Sequence, residues 1–329
     1  MSTFSKSNFK TLNYNSFRPH YPPSFYKILI NYIQKGSNQT SLPINKAIDL
    51  GCGTGVATYP LLNFVKNVIG LDLSPSMIET ANSLKNRRLE ELGIVNDNSG
   101  DNGNLKRIQF KVGSVEEFVN NQQSGIESNS IDLITAAQCI HWFQDYPLFF
   151  ENSSKLLKKG GTLAYFYYID PMIVDFQGPF KSSLNKEELI KQIYELYLKY
   201  AYNDPNLIGP YWEQPGRSIL KNYCEKVNSY IPKNLYENIE INTFTTNIET
   251  KLPNDLKDLD MKKLKISIMD YIGYFETYSG FHNYKEKTGN ENLLKKEFLK
   301  ELLELTGWNL EFTTIDLVWN TGYTFLRKK

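Results

Sequence analysis

The 329-residue sequence lacks several features that would place it in particular classes of protein. It has no run of eighteen or more apolar residues, so no membrane-spanning helix is predicted. Lysine plus arginine number 37 against 36 aspartate plus glutamate, which gives a formal charge of +1. Because there is no basic excess to neutralise a phosphate backbone, a nucleic-acid partner is not expected.

Cysteine is also scarce. Cys52, Cys139 and Cys224 are odd in number and far apart, a pattern that fits neither a disulfide framework nor a closely spaced zinc site. Met1–Lys10 is polar and has no continuous apolar segment of the kind found in secretory signals. These observations predict a soluble cytoplasmic protein without a bound metal, and we expect it to act as a monomer.

The first half of the chain alternates short apolar runs with amphipathic stretches, which indicates an α/β fold with a mostly parallel sheet. Five strands are predicted at Lys46–Leu50, Asn67–Asp72, Arg107–Val112, Ile131–Ala136 and Thr162–Ile169. Helices are predicted at Pro23–Gln34, Val56–Val65, Ser76–Leu92, Val115–Val119 and Pro147–Leu157. The Asn-rich stretches Asn96–Asn104 and Asn120–Asn129 are predicted to be loops.

The alternation stops after Asp170, where a mainly helical insertion is predicted, with helices at Glu187–Tyr200 and Leu293–Leu305. The last segment regains β character, and Asn309–Trp319 and Gly322–Arg327 are predicted to form an antiparallel hairpin that completes a seven-stranded, Rossmann-like sheet. The predicted division is therefore a ligand-binding domain of residues 1–170 and 306–329, with 1–35 as lid and first helix, and a substrate-cap insertion of residues 171–305.

The clearest short motif, between a predicted strand and the next helix, is Asp49-Leu50-Gly51-Cys52-Gly53-Thr54-Gly55. Glycine lets the backbone turn tightly and lets a ligand approach the amides. The spacing is G-x-G-x-G, and Val56 stands where the dinucleotide pattern G-x-G-x-x-G needs its last glycine. A carboxylate at Asp49 would repel a pyrophosphate but suits a cation. The loop therefore favours S-adenosylmethionine, which carries a sulfonium and an amino group.

Other predicted strands end in polar or small residues at the same edge of the sheet. Asp72 is positioned to accept both ribose hydroxyls, and Ser114 to face the adenine. Ala137 to Phe143 follow the fourth strand, where the methionine moiety and the acceptor would meet. Each residue also has a structural interpretation: Ser114 as part of a turn, Cys52 as a small loop residue, and Trp142 as a core aromatic.

These residues resemble the seven-stranded class I S-adenosylmethionine-dependent methyltransferases over roughly residues 10–170 and 306–329. Two further segments, Tyr14 to Pro22 and the run Gly209-Pro210-Tyr211-Trp212-Glu213-Gln214-Pro215-Gly216-Arg217, resemble the fungal trans-aconitate methyltransferase group. That group includes an enzyme that methylates cantharidin. The resemblance implies methyl-ester formation on a small polycarboxylate such as trans-aconitate, with S-adenosylhomocysteine as the second product.

The chemistry of a carboxylate acceptor needs alignment and recognition more than a base, because a group with a pKa near about 4 is already ionised at neutral pH. Arg217 and Arg18 are candidates to bind the carboxylates that do not react, since a guanidinium grips a carboxylate through two hydrogen bonds. His141 is placed to donate to the acceptor, or to act as a base if the acceptor is a hydroxyl. For Arg217 a purely structural ion pair, and for Trp212 a core position, are the alternatives.

Three other functions stay open: methylation of a hydroxyl, amine or foreign compound, a noncatalytic donor-binding regulatory protein, and a nicotinamide-dependent oxidoreductase. The residues predicted to act in the reaction are His141 and, in positioning, Arg217. Those predicted to contact the acceptor are Arg18, Tyr21, His141, Trp142, Tyr211, Trp212 and Arg217. Those predicted to contact S-adenosylmethionine are Tyr14, Arg18, Asp49, Gly51, Cys52, Gly53, Gly55, Asp72, Leu73, Met77, Ser114, Val115, Ala137 and Gln138.

Overall fold

A computed structural model describes residues 16–35, 41–94, 106–114, 126–181, 183–247 and 256–329. The strands are β1 Ile44–Leu50, β2 Val65–Asp72, β3 Ile108–Val112, β4 Ile131–Ala137, β5 Leu157–Gln177, β6 Tyr236–Phe244, β7 Lys262–Ser267 and β8 Thr314–Lys328. The helices are α1 Pro23–Lys35, α2 Pro75–Ser83, α3 Lys85–Glu91, α4 Tyr146–Leu156, α5 Lys186–Leu198, α6 Gly216–Lys221, α7 Glu225–Asn228, α8 Ile268–Glu276, α9 Ser279–Thr288 and α10 Leu299–Thr306. No helix in these ranges combines the length and apolar character needed to span a bilayer.

The strands form one sheet in the order β3-β2-β1-β4-β5-β8-β6, and β7 pairs with β8 as well. The pairs among β1 to β5 are parallel, whereas β8 runs antiparallel to β5, β6 and β7. This arrangement confirms the α/β fold class with its mostly parallel sheet. Strands β2 and β3 lie on one side of β1, and β4 lies on its other side, so the strand order reverses at β1. Sheets of this kind bind ligands in the crevice at such a reversal, which lies here between the carboxyl ends of β1 and β4.

The predicted C-terminal hairpin is wrong, because Thr314–Lys328 is one continuous strand. Asn320 and Thr321 were expected to make its turn, but their side chains bond to neighbouring segments. Asn320 Oδ1 accepts from the Thr246 amide at 2.7 Å, and Thr321 Oγ1 donates to the Leu259 carbonyl at 2.9 Å. Tertiary partners therefore satisfy the polar groups that suggested a turn.

The insertion contributes strands β6 and β7 in addition to its helices, so the described residues form eight strands and not seven. Between buried Tyr236 and Phe244, the side chains of the edge strand β6 are exposed or half-buried, and this leaves no inward alternation for a sequence pattern to reveal. Strand β5 also continues to Gln177, beyond the predicted end at Ile169, after a register shift between Tyr168 and Pro171. The division of the chain into two parts stays a prediction.

Several helices differ from prediction for local reasons. Val56–Val65 is not an α-helix but a turn followed by a 3-10 segment at Tyr59–Asn63, in which the Leu61 amide donates to Thr58 and the Phe64 amide to Leu61. Pro60 has no amide hydrogen to extend an α-helical ladder. The predicted helix Ser76–Leu92 breaks into α2 and α3 at Leu84. Val115–Val119, Asn96–Asn104 and the first part of Asn120–Asn129 lie outside the described residues.

Candidate active site

The glycine loop is tied to the end of β2 by hydrogen bonds. Gly51 and Gly53 have positive φ angles of +59° and +54°, which only glycine adopts at little cost. The Cys52 amide donates to the Leu71 carbonyl, and the Gly53 amide donates to Asp72 Oδ2, both at 2.9 Å. A Cβ on Gly51 would lie 2.6 Å from Cys139 Cβ, whereas one on Gly53 would meet no atom within 4 Å. Open space therefore adjoins the loop at Gly53.

Asp72 connects the glycine loop to the start of α2, at the end of the site predicted to bind the methyl donor S-adenosylmethionine. Besides accepting from Gly53, its Oδ1 accepts from the Ser74 amide at 2.8 Å, and the Ser74 hydroxyl caps α2 by accepting from the Met77 amide. Burial raises the pKa of the Asp72 carboxyl, while the two amide hydrogen bonds oppose that shift. Each carboxylate oxygen can accept more than one hydrogen bond, so Asp72 can still receive ligand hydroxyls.

A cavity of about 320 Å³ joins the ends of β1, β2, β3 and β4 to the insertion. Most of the residues predicted to form the site line it. At its donor end lie Gly51, Cys52, Gly53, Asp72, Leu73, Met77, Ser114, Ala137 and Gln138. At its other end lie Arg18, Tyr21, His141, Trp142, Trp212 and Arg217.

Three predicted site residues do not line this cavity. Gly55 instead packs under the ring of Tyr59, which a Cβ would approach to 2.6 Å. Tyr211 packs edge-on against Tyr284, with ring centroids 5.3 Å apart. Asp49 is fully buried beneath the loop. Two further predictions, Tyr14 and Val115, lie outside the described residues.

Asp49 is held beneath the loop by two hydrogen bonds, and its contact with S-adenosylmethionine stays a prediction. Thr135 Oγ1 donates to Asp49 Oδ1 and Thr58 Oγ1 donates to Oδ2, each at 2.6 Å. Burial raises the pKa of the Asp49 carboxyl to about 6, the two hydroxyls oppose that shift, and the negative charge of Asp72 adds to it. Asp49 thus anchors the loop to β4 from below.

Asp49→Asn is expected to stabilise the ligand-free protein at about pH 8. Because the folded-state pKa is raised from 3.8 to about 6, the ionised carboxylate costs about 3 kcal/mol of unfolding free energy above that range. The cost disappears as the pH falls through 6 toward 3.8 and the folded protein takes up a proton. Denaturant unfolding of both proteins at a series of pH values measures this, and a difference that does not shrink on acidification contradicts it.

At the acceptor end, Arg217 is held by a carboxylate and by aromatic rings. Its Nη2 donates to Asp170 Oδ1 at 2.5 Å, and both side chains are almost fully buried. The guanidinium carbon lies 4.2 Å from the ring centroid of Trp212 and 5.3 Å from that of Tyr202. Trp212 is fixed in turn by its indole hydrogen bond to the Ala201 carbonyl at 2.7 Å. Arg217 is therefore rigidly oriented.

Arg18 enters the same cavity from the N-terminal segment. Its Nη1 donates to the Tyr168 hydroxyl at 3.3 Å and its Nη2 to the Thr277 carbonyl at 3.0 Å. The rings of Tyr274 and Tyr278 lie 5.4 and 5.8 Å from its guanidinium carbon. These contacts bring segments far apart in sequence onto one side chain, so Arg18 is fixed by the insertion that it faces.

His141 lies between the two arginines and is buried. Burial, followed by the charges of Arg217 and Arg18, lowers its pKa to about 3. The imidazole is therefore neutral at physiological pH and is a weak base. Its Nδ1 has no hydrogen-bond partner within the described part of the chain.

Among the contacts of the two arginines, the sequence did not indicate Asp170, Tyr168, Tyr274 or Tyr278. Tyr274 and Tyr278 stand four apart, a spacing that indicates packing on one helix face as readily as a ligand site. Gln138 was predicted, but not its geometry. It has a φ of +57°, and its side-chain amide bonds to the backbone N–H and C=O of Tyr168, both at 2.9 Å.

Gly216→Ala is expected to weaken acceptor binding while leaving donor binding unchanged. A Cβ at this position would lie 2.4 Å from Trp142 Cζ3 and 3.2 Å from the His141 carbonyl, so α6 must move away and carry Arg217 with it. Displacements of this size can cost up to about 100-fold in rate. Steady-state kinetics test this. Gly289→Ala meets no atom within 4 Å but strains a backbone with a φ of +75°, and Gly289 does not line the cavity, so it controls for a loss of stability that leaves the acceptor end in place.

Comparisons with known proteins show which proteins this chain is similar to. Residues 48–165 match the family model described as a methyltransferase domain. The chain is 27% identical to a probable S-adenosylmethionine-dependent methyltransferase of Saccharomyces cerevisiae, over 100% of this chain and 99% of that protein. It is 26% identical to a putative methyltransferase of Dictyostelium discoideum, over 88% of this chain and 82% of that protein. These matches support a class I S-adenosylmethionine-dependent methyltransferase domain.

The fold is also found in a solved structure. A putative type II methyltransferase from Anaeromyxobacter dehalogenans superposes with a TM-score of 0.57 at 17% identity, covering 94% of this chain and 97% of that one. This likeness concerns the fold alone.

Within the described residues, no group of three or more His, Cys, Asp or Glu side chains is arranged to hold a metal ion.

Proposed function

We propose that this protein transfers the methyl group of S-adenosylmethionine to a carboxylate of a small polycarboxylic acid, trans-aconitate or a related compound. The observation that carries this proposal is that two buried arginines, Arg18 and Arg217, line the same cavity as the glycine loop and Asp72. A carboxylate-binding end and a donor-binding end would thus share one cavity. S-adenosylmethionine would supply an electrophilic methyl group there.

The donor end has the features needed for that cofactor. The carboxylate of Asp72 lines the cavity and is oriented by two amides, so it can accept the ribose hydroxyls. The glycine loop lets a ligand approach its backbone closely at Gly53. Ser114 lines the cavity at the end of β3, where it would face the adenine of the cofactor. The negative charge of Asp72 also favours a cationic ligand over a pyrophosphate.

The acceptor end favours a group that needs no base. With its pKa lowered to about 3, His141 is too weak a base to deprotonate an alcohol efficiently at neutral pH. A carboxylate is already ionised and can attack the methyl carbon directly once it is aligned. The arginines would bind the carboxylates that do not react, since an arginine clamped on the attacking oxygen would reduce its nucleophilicity. His141 would donate a hydrogen bond to the acceptor.

A reaction panel tests this proposal. Purified protein is incubated with isotopically labelled S-adenosylmethionine and, separately, with trans-aconitate, other small polycarboxylates, and alcohols or amines on the same carbon skeletons. Mass spectrometry is expected to find labelled methyl esters, which alkaline hydrolysis removes. Labelling of only the alcohols or amines would support the alternative acceptor classes and overturn carboxyl methylation.

A further inference from the structure

Asp170 lies directly behind the arginine end of the cavity. It follows Ile169, which lines the cavity, at the register shift in β5, and its side chain is almost fully buried. Its Oδ1 accepts three hydrogen bonds, from Arg217 Nη2 at 2.5 Å and from the hydroxyls of Tyr197 and Tyr202 at 2.6 Å. All three donors belong to the insertion. Asp170 therefore links the sheet to the part of the insertion that carries Arg217.

The same carboxylate is also linked to the second arginine. The Tyr197 hydroxyl shares a hydrogen bond with that of Tyr278 at 3.1 Å, and the Tyr278 ring lies 5.8 Å from the guanidinium carbon of Arg18. Both Tyr278 and Arg18 line the cavity. One negative charge thus stands behind two positive ones, and it repels any anion that the arginines attract.

We propose that Asp170 is a specificity-determining residue that limits how many negative charges the acceptor end admits. This inference rests on the proposed function and deepens it: Asp170 offsets the charge of Arg217, so the site prefers acids of lower charge than two uncompensated arginines would select. Asp170 does not touch the acceptor. It acts through Arg217, which it positions, and through its field.

Charge and position can be separated because they affect different quantities. Loss of positioning weakens acceptors that use Arg217, and it weakens most the acid that has a further carboxylate to bind there. Loss of the charge favours each acceptor in proportion to its own charge, because Coulomb energy is proportional to the product of the two charges. The two effects move the ratio of affinities for two acids that differ by one carboxylate in opposite directions, so a shift toward the more highly charged acid reports the charge of Asp170.

The experiment uses calorimetry with tricarballylate and glutarate, which share a five-carbon chain and differ by one carboxylate. Both are titrated into the full chain saturated with S-adenosylhomocysteine at about pH 8, where every carboxylate of the two acids is ionised. Asp170→Asn keeps the size of the side chain and an acceptor oxygen for the tyrosine hydroxyls. It is expected to shift the affinity ratio roughly tenfold toward tricarballylate. Tyr197→Phe removes one hydrogen bond and no charge, so it should leave the ratio unchanged.

A second pair of variants covers the case in which Asp170→Asn does not fold. Arg217→Gln with Asp170→Asn leaves no uncompensated charge from this ion pair. Compared with Arg217→Gln alone, the double variant should show the same shift toward tricarballylate. An unchanged ratio in either comparison overturns the proposal.

The outcomes separate this inference from the proposed function. If the wild type binds both acids but methylates no carboxylate in the reaction panel, carboxyl methylation is wrong, and the ratio still decides the role of Asp170. If esters form but the ratio does not move, only the role of Asp170 is wrong. If neither acid binds the wild type, both proposals are contradicted.

Discussion

Asp72→Ala is expected to weaken binding of S-adenosylmethionine by about 1.5–3 kcal/mol, which is roughly a tenfold to hundredfold loss of affinity. The substitution removes the predicted acceptor of the ribose hydroxyls. It also leaves the amides of Gly53 and Ser74 without the carboxylate that now orients them, so the loop and the start of α2 lose their common anchor. Calorimetry with S-adenosylmethionine and S-adenosylhomocysteine measures the effect.

Asp132→Ala is the matched control for this experiment. Asp132 also accepts a backbone amide, that of Lys46 at 2.8 Å, and a second donor, Lys158 Nζ at 2.8 Å. It lies near the start of β4, however, and does not line the cavity. Its loss should lower stability without changing donor affinity. Equal donor affinity for Asp72→Ala and the wild type would remove Asp72 from the ribose role.

Arg217→Gln is expected to raise the KM for the acceptor by roughly tenfold to hundredfold, because it removes charge-assisted hydrogen bonds worth about 1.5–3 kcal/mol. The donor KM should change little, since the guanidinium is at the other end of the cavity. The substitution also leaves Asp170 buried without its cation, which costs up to about 3–5 kcal/mol of stability. Unfolding must therefore be measured alongside steady-state kinetics.

Arg327→Gln separates the catalytic effect from the structural one. Arg327 is equally buried, and it donates to the carbonyls of Gly160 and Tyr32 away from the cavity. It should lose stability while keeping the acceptor KM of the wild type. If Arg217→Gln behaves in the same way, Arg217 is a structural residue and the acceptor is recognised by other groups.

The donor half of the site was predictable because its residues are local to strand ends. The parallel strands β1 to β4 are short segments rich in isoleucine, valine and leucine, and glycine, aspartate or serine stands at or just after the end of the first three, at one edge of the sheet. The sequence does not reveal which of the two carboxylates lines the cavity. Asp49 and Asp72 end adjacent strands, yet two threonine hydroxyls take up Asp49 while Asp72 lines the cavity.

The acceptor half could be predicted only as single residues and not as an arrangement. Arg18, Asp170 and Arg217 come from the N-terminal segment, the register shift within β5 and α6, and no periodic pattern connects positions so far apart. The many aromatic residues of the insertion are typical of helix packing, and Tyr197 and Tyr202 do pack against other rings, but their hydroxyls also bond to Asp170. The hydrogen-bonding role of these tyrosines can be recognised only once the fold places Asp170 beside them.

The pairing of the long strand β8 limits how far this protein can be shortened. Its first half pairs with β7 and its second half with β6, while its other side pairs with β5 throughout. Excising residues 178–313 to leave a minimal enzyme would strip both insertion strands from β8. The remaining fragment would present one bare edge of a fifteen-residue strand, with unsatisfied amides and carbonyls prone to self-association, so trimming should spare β6 and β7.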